Sequence, residues 1–193
     1  VFVVPTAAHA EDQEGSTWKS DLRVFNPGSE PVTCELAFLP RDHDNVADIL
    51  ERAIFPVPPM GTTAWDDVVG WLCTPAAGCA ATEGTLRLDV AGGDGTRPHV
   101  VSRLYKETSA GTFGQRVPAV LVTPGDDRPY RLAGLVHSQA FRTDLRIANL
   151  GHTAADNVAV TLLDENGAIL WTEEISVEAA SSTEPVDVAD LAD

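Results

Sequence analysis

The chain has 193 residues, with 29 Asp and Glu against 13 Lys and Arg, a formal net charge of −16. Hydrophobic residues make up 44% and charged residues 22%, the balance of a folded chain and not of a disordered one. A field of this sign repels nucleic acid and anionic membrane surfaces, and no apolar run reaches the roughly 20 residues of a membrane helix, so neither nucleic-acid binding nor membrane insertion is expected.

The apolar start, Val1-Phe-Val-Val4, is of strand length and lacks an initiating Met, which reads as a processed or trimmed form. Period-2 alternation predicts strands over 22–25 and 32–39. They are joined through 26–31, where Pro and Gly suit a tight turn. Cys34 alternates with Val32, Leu36 and Phe38 and is expected to fill a core. Residues 45–55 place Val46, Ile49, Leu50 and Ala53 on one helical face, but the internal repeat described below aligns them with a hairpin arm, and the region is assigned as strand. Residues 66–72 read as a single helical turn. Cys73-Thr-Pro-Ala-Ala-Gly-Cys79 is a short, turn-rich loop in which a disulfide between Cys73 and Cys79 is expected in an oxidising compartment. Such a small loop would contribute about 2 kcal/mol. Three cysteines without C-x-x-C spacing match no zinc pattern.

Residues 85–90 and 99–105 read as a strand pair around the Gly-rich loop 91–98, and 117–122 as a strand or connector. Further on, 145–148 and 158–163 are strands joined through 149–157. Asn166-Gly167 signals a hairpin into 169–171. Residues 187–191 read as a helical turn.

Self-similarity organises these elements. Trp18-Lys-Ser-Asp-Leu-Arg-Val-Phe-Asn-Pro-Gly28 matches Phe141-Arg-Thr-Asp-Leu-Arg-Ile-Ala-Asn-Leu-Gly151 position by position. Trp18, Asp21, Arg23, Asn26 and Gly28 thereby align with Phe141, Asp144, Arg146, Asn149 and Gly151, and a structural role is expected for each. Upstream, 4–9 resembles 132–137. Downstream, 32, 34, 36 and 38 align with 156, 158, 160 and 162, and 57–68 with 177–188, which keeps Asp67 with Asp187. The expected architecture is all-β: tandem immunoglobulin-like β-sandwich repeats over 1–122 and 123–193, the second incomplete. It lacks counterparts of 85–90 and 99–105, so an open edge and an uncovered apolar face are expected there. Another chain, or the first repeat, could complete it by strand addition. Residues 1–5 are a candidate donor strand, with the first strand of their own sandwich as the preferred reading.

The run from Asp21 to Phe38, in which a strand ends in Asn-x-Gly and passes through a Pro-Val-Thr turn into an alternating strand, resembles the tandem immunoglobulin-like repeats of secreted bacterial surface proteins. Phe113-Gly-Gln-Arg-Val-Pro-Ala119 is similar to the linker between such repeats. The resemblance implies an extracellular module for adhesion, assembly or spacing. It implies no catalytic residue.

Chemistry is sparsely signalled. There is no Gly-x-Ser-x-Gly, His-Glu-x-x-His or phosphate loop. Ser16-Thr-Trp-Lys19 matches Ser-x-x-Lys, but Lys19 aligns with Arg142 and reads as structural. Gly92-Gly-Asp-Gly95 precedes no helix and reads as a hairpin loop. His9 and His137 are repeat-equivalent, while His43, His99 and His152 are scattered surface residues. The aligned acidic loops, with Asp42, Asp44 and Asn45 in one and Asp164 and Asn166 in the other, are the candidate calcium site; neither has EF-hand spacing, and no other cofactor is expected. Trp65, Trp71 and Trp171 are candidate sugar-stacking residues, with packing preferred. These signals point to a non-enzymatic, secreted or cell-surface protein that assembles with copies of the same repeat into a layer or filament. The alternatives are a glycan-binding module of a secreted enzyme and, less favoured, a hydrolase with its site in the crevice between the repeats.

Overall fold

The structure, a computed structural model, describes residues 1–12, 15–41, 45–46, 51–73, 83–123, 130–136, 138, 143–183 and 186–188. Alternating apolar residues build the first part as antiparallel strands: β1 (Phe2–Glu11), β2 (Thr17–Phe25), β3 (Val32–Pro40), β4 (Glu51–Val57), β5 (Thr62–Trp65), β6 (Glu83–Gly92), β7 (His99–Thr108), β8 (Gly111–Pro118) and β9 (Val120–Leu121). Among the described residues a helix, α1 (Val68–Leu72), lies between β5 and β6.

Strand β3 carries β4 on one side and β6 on the other, and β6 pairs in turn with the start of β1. In the facing layer, β2 carries β7 along one side, and β7 carries β8. The other side of β2 is shared end to end by the last residues of β1 and by β5. Strand β1 therefore serves both layers. Its register with β6 shifts between Val4 and Ala7, and from His9 onward it pairs with β2. An irregularity of this kind bends a strand and lets it change sheets.

The core lies between the layers. Inward positions of β2 (Leu22, Val24), β3 (Cys34, Leu36, Phe38) and β6 (Leu86, Leu88) meet there and are buried. Burying each of the larger aliphatic and aromatic chains is worth about 1.5–3 kcal/mol. Helix α1 closes one end with Val68 and Val69; Asp67 caps it by accepting the Gly70 N–H at 2.9 Å.

One expectation changes at this level. Residues 85–90 and 99–105 are strands but not partners of each other, because both edges of β6 are already taken by β3 and β1. The chain between β6 and β7 crosses from one layer to the other, and Asp94 ties that crossing to the β2–β3 turn through the N–H and hydroxyl of Ser29, each at 2.7 Å. Residues 51–57 are strand β4 beside β3, in line with their alignment to the later hairpin arm rather than with the helical spacing of 45–55. Residues 47–50 lie outside the described set.

In the second part, β10 (Asp144–Leu145) pairs with β15 (Val186–Asp187), β11 (Ala148–Asn149) with β14 (Ser181–Ser182), and β12 (Ala155–Leu163) with β13 (Ile169–Val177) around Asn166-Gly167. Gly167 has φ +83° there, as a hairpin turn requires. The strand expected over 145–148 is interrupted at Arg146 and Ile147, and position 187 is strand, not helical turn. Pairings recur at aligned positions. Phe25 opposite Thr62 becomes Ala148 opposite Ser182, and Cys34 opposite Phe55 becomes Val158 opposite Ile175. Counterparts of β6 and β7 are absent among the described residues of this part. The two parts touch where Ala37 and Leu39, on the outer face of β3, meet Ala180 and Leu150. Asn45 bridges them, donating to the carbonyls of Pro40 and Ala180, each at 2.8 Å.

Candidate functional site

The residues shared by both copies act mainly as clamps. Asn26 is fully buried. Its Nδ2 donates to the carbonyls of Glu30 (2.8 Å) and Val57 (3.2 Å), and its Oδ1 accepts the Gly28 N–H (2.9 Å). Asn149 repeats the set on Thr153 (2.9 Å), Val177 (3.1 Å) and Gly151 (2.8 Å). Each amide ties the turn after one strand to the end of a hairpin arm. The aligned positions Met60 and Ala180 both take positive φ, +53° and +47°.

The paired charges diverge. Asp21 meets Arg103 at 3.3 Å, while Arg23 donates to the Trp65 carbonyl and pairs with Asp66. The position aligned with Asp66 is Val186, which carries no acceptor. Arg146 turns instead to Glu83 of the first part at 3.3 Å. Trp18 lies beneath Lys106 at 5.4 Å. Phe141 is outside the described residues, and Asp144 opens β10.

Among the described residues, the second part leaves one side open. In β3, Cys34, Leu36 and Phe38 are fully buried. Their counterparts Val158, Val160 and Leu162 are only half-buried, as are Trp171 and Ile175 across the hairpin. Ile169 is 69% exposed and Leu170 57%. Among the described residues β12 pairs only with β13, so its other edge presents backbone donors and acceptors beside an apolar face. Residues 130–136, which align with β1, lie outside any strand and are exposed, Leu132 and Val136 among them.

The remaining candidates are dispersed. His9 Nδ1 lies 2.6 Å from Asp67 Oδ2 and links β1 to the α1 cap; His137 falls outside the described residues. Lys19 pairs with Glu107 at 3.6 Å. Trp65 meets Phe55 edge-on at 4.6 Å and Trp71 at 5.0 Å, whereas Trp171 stands on β13 in the other part. Of the calcium candidates, Asp42 and Asp44 are outside the described residues, and Asn45 is engaged in the bridge above. Asp164 Oδ1 accepts the N–H groups of Ala168 (2.7 Å) and Asn166 (2.8 Å); these donors, Ala168 first, hold its carboxyl below the usual range. Among the described residues no cluster of three His, Cys, Asp or Glu could hold a metal. No described helix is long and apolar enough to cross a membrane. Cys34 is a free, buried thiol, pushed up to about 11 by burial. The expected pairing of Cys73 involves Cys79, outside the described residues.

Alternation alone did not single out the charged outward positions of β3, β4 and β6, where Glu35, Arg52, Arg87 and Asp89 gather opposite His152. Only the strand order brings them together. In comparisons with protein-family models, curated proteins and solved structures, nothing matches this chain.

Proposed function

We propose that this chain is a non-catalytic, secreted or cell-surface structural or adhesive protein, built from tandem immunoglobulin-like sandwich units over 1–122 and 123–193, and that it assembles with further copies through the open side of the second unit. One observation carries the reading: Val158, Val160 and Leu162 are only half-buried, beside a strand edge that has no partner among the described residues, although their counterparts are fully buried core. Strand addition supplies the backbone bonds that such an edge lacks and covers its apolar side.

The immunoglobulin-like part draws support from strand pairing. β2 pairs with β5 and β3 with β6, as strands B with E and C with F do in an immunoglobulin domain. The start of β1 takes the place of strand G beside β6. A Cys73–Cys79 disulfide fits an extracellular location; under denaturing, non-reducing conditions one cysteine of the three is then expected to label.

Sedimentation velocity and electron microscopy test the assembly. The chain is expected to form concentration-dependent oligomers or fibres, and Val160→Lys, which places a charge on the open face, is expected to leave monomer. A wild-type chain that stays monomeric at every concentration with a folded second half overturns the reading.

A glycan-binding module is the second reading, favoured by Trp71, which packs against Trp65 yet remains 45% exposed. A glycan array unchanged by Trp71→Ala removes it.

A further inference from the structure

Where the second part meets the outer face of β4, β3 and β6, a cleft of about 400 Å³ remains, lined by Glu35, Ala37, Arg52, Arg87, Asp89 and His152. The register explains its pattern. Arg52, Ala37 and Arg87 form one row across three strands, and Glu35 and Asp89 lie side by side in a neighbouring row. Ala37, 6% exposed, is a methyl floor between two guanidinium groups whose strands stand two spacings apart, about 10 Å.

Each arginine is anchored by the carboxylate of the neighbouring row. Arg52 Nη1 lies 3.3 Å from Glu35 Oε1. Arg87 reaches Asp89 with Nε at 2.8 Å and Nη2 at 3.3 Å. The formal charge of these four side chains cancels, but their hydrogen-bonding capacity is not exhausted. Arg87 Nη1, and Arg52 Nε and Nη2, meet no acceptor among the described residues, and Glu35 accepts one bond where a carboxylate has about four lone-pair sites. His152, just beyond the Asn149-x-Gly151 clamp, closes one side, so the cleft needs both parts of the chain.

We propose that this cleft binds a neutral, polyhydroxylated ligand of one or two sugar rings. An anion would face Glu35, Asp89 and the field of a chain of charge −16; a cation would face both arginines. A hydroxyl group both donates and accepts. Neighbouring sugar hydroxyls can therefore accept from a guanidinium and donate to the adjacent carboxylate, in charge-assisted bonds that a pre-paired, neutral lining still offers. The C–H face of a pyranose suits the methyl floor. The volume falls in the range of small-molecule sites, which favour junctions between folded units. This site uses the outer face of the first sheet and not the open edge of β12, so it stands or falls apart from self-association.

The whole chain, held at a concentration at which sedimentation shows monomer, is titrated by calorimetry with glucose, galactose, N-acetylglucosamine and their β-1,4-linked disaccharides. Saturable millimolar or tighter binding to at least one is expected, weakened at least tenfold by Arg52→Gln and by His152→Ala and unchanged by Trp71→Ala. Arg52 is half-exposed, so its substitution is compatible with folding, and an unchanged melting temperature checks this. No saturable binding to any of these sugars overturns the proposal. So does binding that survives either cleft substitution, that is lost with Trp71→Ala, or that is weaker than the response to glucuronate or lysine.

Discussion

Asn26 engages two carbonyls and one N–H with a side chain that water does not reach, and Asn149 engages the same set where water does. Removing a buried partner strands the groups it served, at about 1–3 kcal/mol. Asn26→Ala is therefore expected to cost about 2–3 kcal/mol in urea denaturation, and Asn149→Ala about 1 kcal/mol or less, because solvent can replace its bonds. Equal costs would contradict the difference in burial. Cys34 makes a second test. Burial raises its thiol from 9.0 to about 11, so the fold favours the neutral form. A raised value of this kind contributes stability in full below the unfolded value and loses it as pH rises through the folded one. The stability of the wild type relative to Cys34→Ala is expected to fall between pH 9 and pH 11, and the native thiol to resist maleimide at pH 8. The repeated Asn-x-Gly was legible in the sequence as a structural position. The carbonyls it serves lie up to 31 residues away and were not.

Strand β6 is confined on both edges, with Gly84 opposite Pro40 of β3 and Ala7 of β1. A Cβ added at Gly84 would sit 2.1 Å from the Leu39 carbonyl oxygen, a backbone atom that cannot swing aside. Gly84→Ala is expected to cost about 1–3 kcal/mol and to speed hydrogen exchange at the β1 and β6 amides, measured together with the melting temperature. Unaltered exchange would show that the ladder accommodates a methyl group. Elements were read well from sequence where alternation was long, as in β3 and β12. They were read poorly where a neighbour decided. The segments 85–90 and 99–105 looked like one hairpin, and turn chemistry alone does not say that the first already has two neighbours.

The two parts of the molecule are held together partly by ion pairs. The Arg146 side chain is 9% exposed and meets Glu83, yet its Nε and Nη1 meet no acceptor among the described residues. Glu83 also holds Arg41 at 3.0 Å. Removing Glu83 leaves the buried Arg146 guanidinium uncompensated, whereas replacing Arg146 by an apolar chain still leaves Glu83 paired with Arg41. Glu83→Ala is expected to weaken the junction by about 1–3 kcal/mol and Arg146→Met to leave it nearly unchanged, read from hydrogen exchange at β14. A larger loss in Arg146→Met would show that the guanidinium contributes net attraction.

Alternation and turn residues were enough to show that the chain is all-β and to mark the hairpin at Asn166-Gly167. These signals are local: side chains two apart share a strand face, and a proline or glycine acts on its own φ. Which edges pair, that β1 serves two layers, and that Arg146 meets Glu83 were decided only in three dimensions. Pairing is a competition among distant segments for the same backbone groups and the same apolar area, and its outcome depends on every strand present at once.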